Sequence, residues 1–390
     1  MRTALALSLL PLIAASPAAP PPSCGAPAPP SPGPSTPPGY PTNPGPPTNS
    51  GHPTPPGPPG HGPKPAPGLG DLAKAAGLLY FGTAIDNVVL NNTQYTSIAF
   101  NRSEFNQVTP SNGQKWMYIE PSRNVFNYTL GDQIIVPGQK AGQIARCHNF
   151  LWHSQLPDWL NKGNWTKSEL WGILENHIKN EAEYYWGDCY AWDVVNEAFN
   201  DDGTYRKDIW LDTLGPSYIE QTFIWARKYT SPGTKLYYND YGIERVNNKS
   251  IAVQAMVKDF QARKIPIDGV GLQAHFTVGR APTYTDVRNS QALYSSLGLE
   301  TALTELDVRL ALPGNATTEK IQADVYANAT RACVDEEKCV GITVWDFWDP
   351  VSWVPETFPG NGDATLWREN FERKPAYYAV ADVLRSAAKN

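Results

Sequence analysis

Two glutamates carry the most chemistry. Glu197 closes the run Trp192-Asp193-Val194-Val195-Asn196-Glu197, and Glu305 lies within Leu303-Thr304-Glu305-Leu306-Asp307. Each ends an apolar stretch, where an ionisable group is costly unless it has partners. A lone glutamate there could simply pair with a neighbouring helix. Two carboxylates facing one another match what glycoside hydrolysis requires: one protonated to donate to the leaving oxygen, the other ionised to attack the anomeric carbon. His275 and Asp307 are placed to form a hydrogen-bonded chain with Glu305, which would hold it ionised and oriented as a nucleophile. Glu197 has Asn196 beside it and no Lys or Arg within its run, a setting that raises a carboxyl toward acid duty. Glu197 is therefore expected to be the acid/base and Glu305 the nucleophile.

The elements that must position them follow from hydrophobic patterning. Eight short apolar runs recur: Leu78–Ile85, Gln107–Thr109, Gln143–Phe150, Cys189–Asn196, Lys235–Asn239, Asp268–His275, Glu300–Asp307 and Cys339–Phe347. Helix-like stretches separate most of them. In Lys167–Tyr185, for example, Leu170, Ile173, Leu174, His177 and Ile178 share one stripe. Apolar strands alternating with helices imply a parallel sheet covered on both faces, and eight such units fit an α/β fold of the (β/α)8 barrel type. A doubly wound open sheet is the alternative, but no Gly-x-Gly-x-x-Gly turn follows the first strand.

Barrel chemistry sits at the carboxyl ends of the strands. Seven of the eight runs end in polar or aromatic groups: Asn112 and Lys115, His148, Asn196-Glu197, Asn239-Asp240-Tyr241, Gln273 and His275, Glu305 and Asp307, and Trp345. Lys115, His148, Asn196 and Gln273 suit sugar hydroxyls, and Trp152, Trp345 and Trp353 offer flat stacking faces. Trp192 and Trp225 are expected in the core.

Composition divides the chain. Of its 37 prolines, 24 fall in residues 1–70. Residues 1–19 read as a secretory signal and residues 20–68 as a disordered, extended Pro/Gly/Ser/Thr-rich spacer, leaving 69–390 as the catalytic domain. No later run is long enough to cross a membrane. A net charge of -6 argues against nucleic acid as a partner. Seven sequons, at Asn91, Asn101, Asn127, Asn164, Asn248, Asn315 and Asn328, suggest a secreted, extracellular glycoprotein. Cys333 and Cys339 are spaced to close a small disulfide loop. Cys147 and Cys189 fall near opposite ends of neighbouring strands, which argues against a bond between them. Cys24 alone cannot knit a small module in the head. No metal or other cofactor is expected, and nothing requires more than a monomer.

Against this background the sequence resembles glycoside hydrolase family 10 endo-β-1,4-xylanases of the fungal secreted type. The resemblance rests on Phe105-Asn106-Gln107-Val108-Thr109, Lys115-Trp116, His148, and Trp152-His153-Ser154-Gln155-Leu156-Pro157. It continues through Trp192–Ala198, Tyr238-Asn239-Asp240-Tyr241, Gly269–Phe276, Thr304-Glu305-Leu306-Asp307, Trp345-Asp346 and Trp353. It implies endo-hydrolysis of xylan with retention, with xylan and xylo-oligosaccharides as partners. It also implies that Asn196 holds the 2-hydroxyl at the cleavage point. Lys115, His148, Gln273 and His275 would line the glycone side, Trp345 and Trp353 would roof it, and Tyr241 would face the aglycone. Two positions depart from the family pattern. Ser111 stands where a glutamate is usual, which predicts weaker glycone binding or an altered tolerance for decorated xylose, and Cys147 stands where glycine is usual. The rival readings are a β-1,4-glucanase of the same architecture and a catalytically inactive xylan-binding barrel.

Overall fold

The computed structural model describes residues 66–388. The expected signal and nearly all of the expected spacer lie outside the described residues. Among the described residues there are ten strands: β1 (Tyr80–Ile85), β2 (Gln107–Pro110), β3 (Ile144–Leu151), β4 (Cys189–Asn196), β5 (Lys235–Asp240), β6 (Gly269–Leu272), β7 (His275–Thr277), β8 (Glu300–Ala311), β9 (Cys339–Val344) and β10 (Asn361–Gly362). Eight of them, β1–β6, β8 and β9, pair in parallel, and the β9–β1 pairing closes the barrel. The expected sixth run splits: β6 is a barrel strand, while β7 pairs only with the long β8. β10 adds an antiparallel edge to β8.

The connecting helices form where the sequence caps them. Lys167–Tyr184 opens on a capping box between Thr166 and Glu169 and buries the expected stripe of Leu170, Ile173, Leu174, His177 and Ile178. Asn247/Ser250, Thr283/Asp286 and Asn315/Thr318 make equivalent boxes at later helix starts. Trp192 is buried and stacked on Phe150, and Trp225 is half-buried against Trp171.

Inside the barrel, Tyr80, Ala191, Tyr237 and Ala302 fill the amino-terminal end. Above them lies an ion pair between Arg146 and Asp193, with Arg146 over the Tyr237 ring at 4.3 Å. Thr343 donates to Gln107 (2.6 Å) in the same buried interior. This interior is more polar than the branched aliphatic layers usual in such barrels, and every charge in it has a partner.

One expectation is overturned. Cys147 and Cys189 form a disulfide, with 5.8 Å between their Cα atoms. Ala145 pairs with Cys189, so Cys147 lies only two residues along β3 from the position opposite Cys189 rather than at the far end of the sheet. The expected Cys333–Cys339 disulfide is also present.

Candidate active site

The carboxyl ends of the strands surround a cleft of about 1010 Å³. Glu197, Glu305, Asn112, Lys115, His148, Trp152, Asn196, Tyr241, Gln273, His275, Trp345 and Trp353 all line it, so each expected catalytic and sugar-binding residue reaches one place. The strands are irregular where they deliver these groups. Pairing slips between His148 and Leu151, between Asp193 and Val195, and between Leu303 and Leu306. Such slips re-aim side chains at barrel rims. Glu197, Ala274 and Asp346 adopt positive φ of 59°, 64° and 62°. Non-glycine residues carry that conformation at a cost, and such residues concentrate at functional sites.

Glu305 is held from two sides. Asn239 Nδ2 donates to its Oε1 (2.7 Å), and His275 Nε2 lies 3.0 Å from its Oε2. His275 Nδ1 is in turn 3.0 Å from Asp307 Oδ2, which also accepts from Trp353 Nε1 (2.7 Å). Burial opposes a charge on His275, but Asp307 and Glu305 outweigh it and hold the imidazole pKa up to about 10. His275 is therefore a cation at neutral pH and Glu305 has the partner of an anion. Asp307, expected as a support, holds both His275 and Trp353 on one oxygen.

Glu197 is built differently. Its Oε1 accepts from Gln273 Nε2 (2.9 Å) and Asn196 Nδ2 (3.2 Å), both neutral amides. Arg206 Nε donates to the Glu197 backbone carbonyl (2.8 Å), not to its carboxylate. His153 Nδ1 is 3.8 Å from Glu197 Oε2, and burial draws that imidazole below its usual range. A carboxyl held by neutral donors can be protonated without leaving a buried cation unpaired.

The groups around Lys115 are a linked set. Lys115 Nζ donates to Asn112 Oδ1 (3.0 Å) and lies 4.9 Å from the Trp152 ring and 5.9 Å from the Trp345 ring. Burial lowers Lys115 to about 8, against the pull of Glu305, Glu197 and Asp86. His148 Nδ1 is 3.0 Å from Asp193 Oδ2, and its backbone N–H donates to Gln114 Oε1 (3.2 Å). At the other end, Arg206 donates to the Tyr241 hydroxyl (2.8 Å) and Lys249 lies 3.6 Å from the Tyr241 ring centroid, paired with Asp240 (2.8 Å).

Sequence reasoning missed Asp86, Asn239, Asp193, His153 and Arg206 as members of this network. Asn239 stood at a strand end and was legible as polar there. Its bridge from Glu305 to Asn196 Oδ1 (2.9 Å) was not. Asp86 follows β1, the one run with no polar end noted, and takes Asn112 Nδ2 (2.7 Å) and the Ser111 hydroxyl (3.3 Å) on its Oδ2.

Residues 68–383 match the family described as Glycosyl hydrolase family 10. The chain is 44% identical over 320 residues to endo-1,4-beta-xylanase D of Talaromyces funiculosus, covering 82% of this chain and 78% of that protein. Among solved structures it is similar to Penicillium canescens endo-1,4-beta-xylanase XylE, with a TM-score of 0.80 and 40% identity over 82% of this chain and 98% of that one. It is also similar to a xylanase from Bispora sp. MEY-1 with xylobiose, with a TM-score of 0.78 and 41% identity over 81% and 99% of the two chains.

Proposed function

The chain belongs to glycosyl hydrolase family 10, and on that premise we propose which of its residues carry which step. It is a retaining endo-1,4-β-xylanase. Glu305 attacks the anomeric carbon as the bond from that carbon to the leaving oxygen breaks, and Glu197 gives its proton to that oxygen. Glu197 then takes a proton from water, whose oxygen attacks the same carbon and displaces Glu305. Asn196, Lys115, His148, Asn112 and Gln273 bind the glycone hydroxyls. Trp345 and Trp353 close over the sugar, Trp152 flanks Lys115, and Tyr241 receives the aglycone.

The observation that carries this assignment is the asymmetry of the two carboxylates. Glu305 has a cationic imidazole on one oxygen, whereas Glu197 has only amides on the oxygen that is bonded. The test is product analysis on arabinoxylan, mixed-linkage β-glucan and soluble cellulose. Short xylo-oligomers from arabinoxylan alone are expected. Products mainly from the glucans would overturn the substrate, and no products from any would favour a binding protein.

The protein is secreted and works as a monomer in this reading. Residues 1–19 are removed as a signal and 20–68 form a spacer ahead of the barrel. Among the described residues no helix is long and apolar enough to cross a membrane, and all seven sequon asparagines are exposed, which supports glycosylation. Mass analysis of the secreted protein before and after deglycosylation tests the signal cleavage and the sequons.

A further inference from the structure

The rim of the cleft carries a feature that a neutral xylose chain does not need. Arg245, Arg280 and Arg309, from the loops after β5 and β7 and from the far end of β8, all line it. They are contiguous. Arg245 Nη2 donates to the Arg280 carbonyl (3.0 Å), and the Val278 N–H donates to the Arg309 carbonyl (2.9 Å). Thr277 stands in register opposite Arg309.

The acids around them are engaged elsewhere or make no ion pair with Arg280 or Arg309. Arg245 is 3.5 Å from Asp286. Glu244 is buried, accepts from the Ala274 N–H (2.8 Å), and burial pushes its carboxyl up. Asp307 is committed to His275 and Trp353. Glu356 lines the same cleft and forms no ion pair with any of the three arginines. Among the described residues, the side chains of Arg280 and Arg309 have no hydrogen bond or ion pair. Arg309 is half-buried, with its guanidinium carbon 3.8 Å from the Phe358 ring centroid. Burial lowers its pKa, only partly offset by Asp307.

A half-buried guanidinium without an acid is costly unless something arrives to pair with it. Its planar fork matches a carboxylate in two parallel hydrogen bonds. The chain as a whole carries a net charge of -6, so this basic rim runs against the general field of the molecule. Xylose has no charge, and a carboxylate can enter the cleft only on a side group of the polymer.

We propose that Arg280 and Arg309, steadied by Arg245, form a subsite for a uronic acid branch on the xylan chain. The inference rests on the xylanase reading and adds a substrate class to it: acidic, carboxylate-decorated xylan is preferred over xylan with neutral branches.

The test compares kcat/KM on glucuronoxylan with kcat/KM on neutral arabinoxylan, for the full chain and for Arg280→Ala, Arg280→Lys and Arg309→Gln. The wild-type ratio of acidic to neutral should fall as salt rises from about 0.01 M to about 1 M, because screening shortens from roughly 30 Å to roughly 3 Å. Arg280→Ala and Arg309→Gln should each lower the ratio at low salt by about three- to tenfold. Arg280→Lys should lie between wild type and Arg280→Ala, because it keeps the charge and loses the fork. A wild-type ratio that rises with salt would mean that the acidic chain repels the branch, and would overturn the proposal. Ratios unmoved by Arg280→Ala, whose side chain is exposed and unbonded, would also overturn it even if Arg309→Gln misfolded. Failure to cleave either xylan would instead sink the reading beneath it.

Discussion

Asn239 donates to Glu305 Oε1 over 2.7 Å while its Nδ2 also lies 2.9 Å from Asn196 Oδ1. One amide thus ties the proposed nucleophile to the strand that carries the proposed acid. With His275 on the other oxygen, Glu305 has little freedom to rotate, and orientation of this kind supplies much of a catalytic rate.

Replacing Glu305 by Gln keeps the volume and the Asn239 contact but removes the attacking anion. Turnover on xylan should fall by at least about 10⁴-fold, as for other nucleophile deletions, while xylo-oligosaccharide binding persists. Titration calorimetry with xylotetraose beside a rate assay checks both. Retained turnover would refute the assignment.

Glu197→Ala should divide substrates by leaving group. A xylan oxygen needs a proton as the bond breaks, and the loss there should be about 10²–10⁴-fold. An aryl xylobioside with an acidic phenol leaves without that proton, so its first step should lose much less and its intermediate should accumulate as a burst. Equal losses on both substrates would remove Glu197 from acid duty.

Two cations in the cleft should give the alkaline limb two parts. Lys115 titrates near about 8 and His275 near about 10. KM should therefore begin to rise through about pH 8 as the glycone loses Lys115's charge, and kcat should hold until His275 deprotonates. The stability signs are opposite. His275 is raised above its unfolded value of about 6.5, so its contribution is complete below that pH and is lost as pH rises through about 10. Lys115 is lowered, so its charged form costs stability below about 8, and the cost fades as pH rises toward about 10.4. Melting curves of His275→Gln should lack the alkaline loss. An unchanged slope would show that another group sets it.

The sequence made the barrel legible because its strands are apolar on both sides and end abruptly in polar residues, as at Val195-Asn196-Glu197. It made the two glutamates legible because each ends an apolar stretch, where an ionisable group is costly without partners. It could not show what depends on register. The register that sets Ala145 opposite Cys189, and so Cys147 within reach of it, adds no unusual residue to the sequence. Neither does the positive φ of Glu197, which most turns would assign to Gly. The partners of Asp86 come from a strand neighbour 25 and 26 residues away, a pairing that no local pattern encodes.

The two disulfides should contribute unequally. Cys147–Cys189 spans 42 residues and Cys333–Cys339 spans 6. Loop-closure entropy assigns them on the order of 4 and 2 kcal/mol. Paired replacement by Ala should therefore lower the midpoint of denaturant unfolding more for Cys147/Cys189. The reverse order would mean that packing, rather than the unfolded chain, dominates.

Asp86 bears on the departure at Ser111. The resemblance places a glutamate at that position, and its absence predicted weak glycone binding. In the structure, Asp86 presents a half-buried carboxylate to the same end of the cleft, held by Asn112 (2.7 Å) and Ser111 (3.3 Å). We infer that it substitutes for the missing acid. A charged acceptor contributes about 1.5–3 kcal/mol against about 1 for a neutral one, so Asp86→Asn should raise KM on xylotetraose by about three- to twentyfold with kcat little changed. Ser111→Glu alone should gain less than about threefold, because a second carboxylate beside Asp86 drives one of the pair toward its neutral form. The same substitution in an Asp86→Asn background should recover most of the lost affinity. A large gain from Ser111→Glu in the wild-type background, or no change in KM from Asp86→Asn, would show that Asp86 does not reach the sugar.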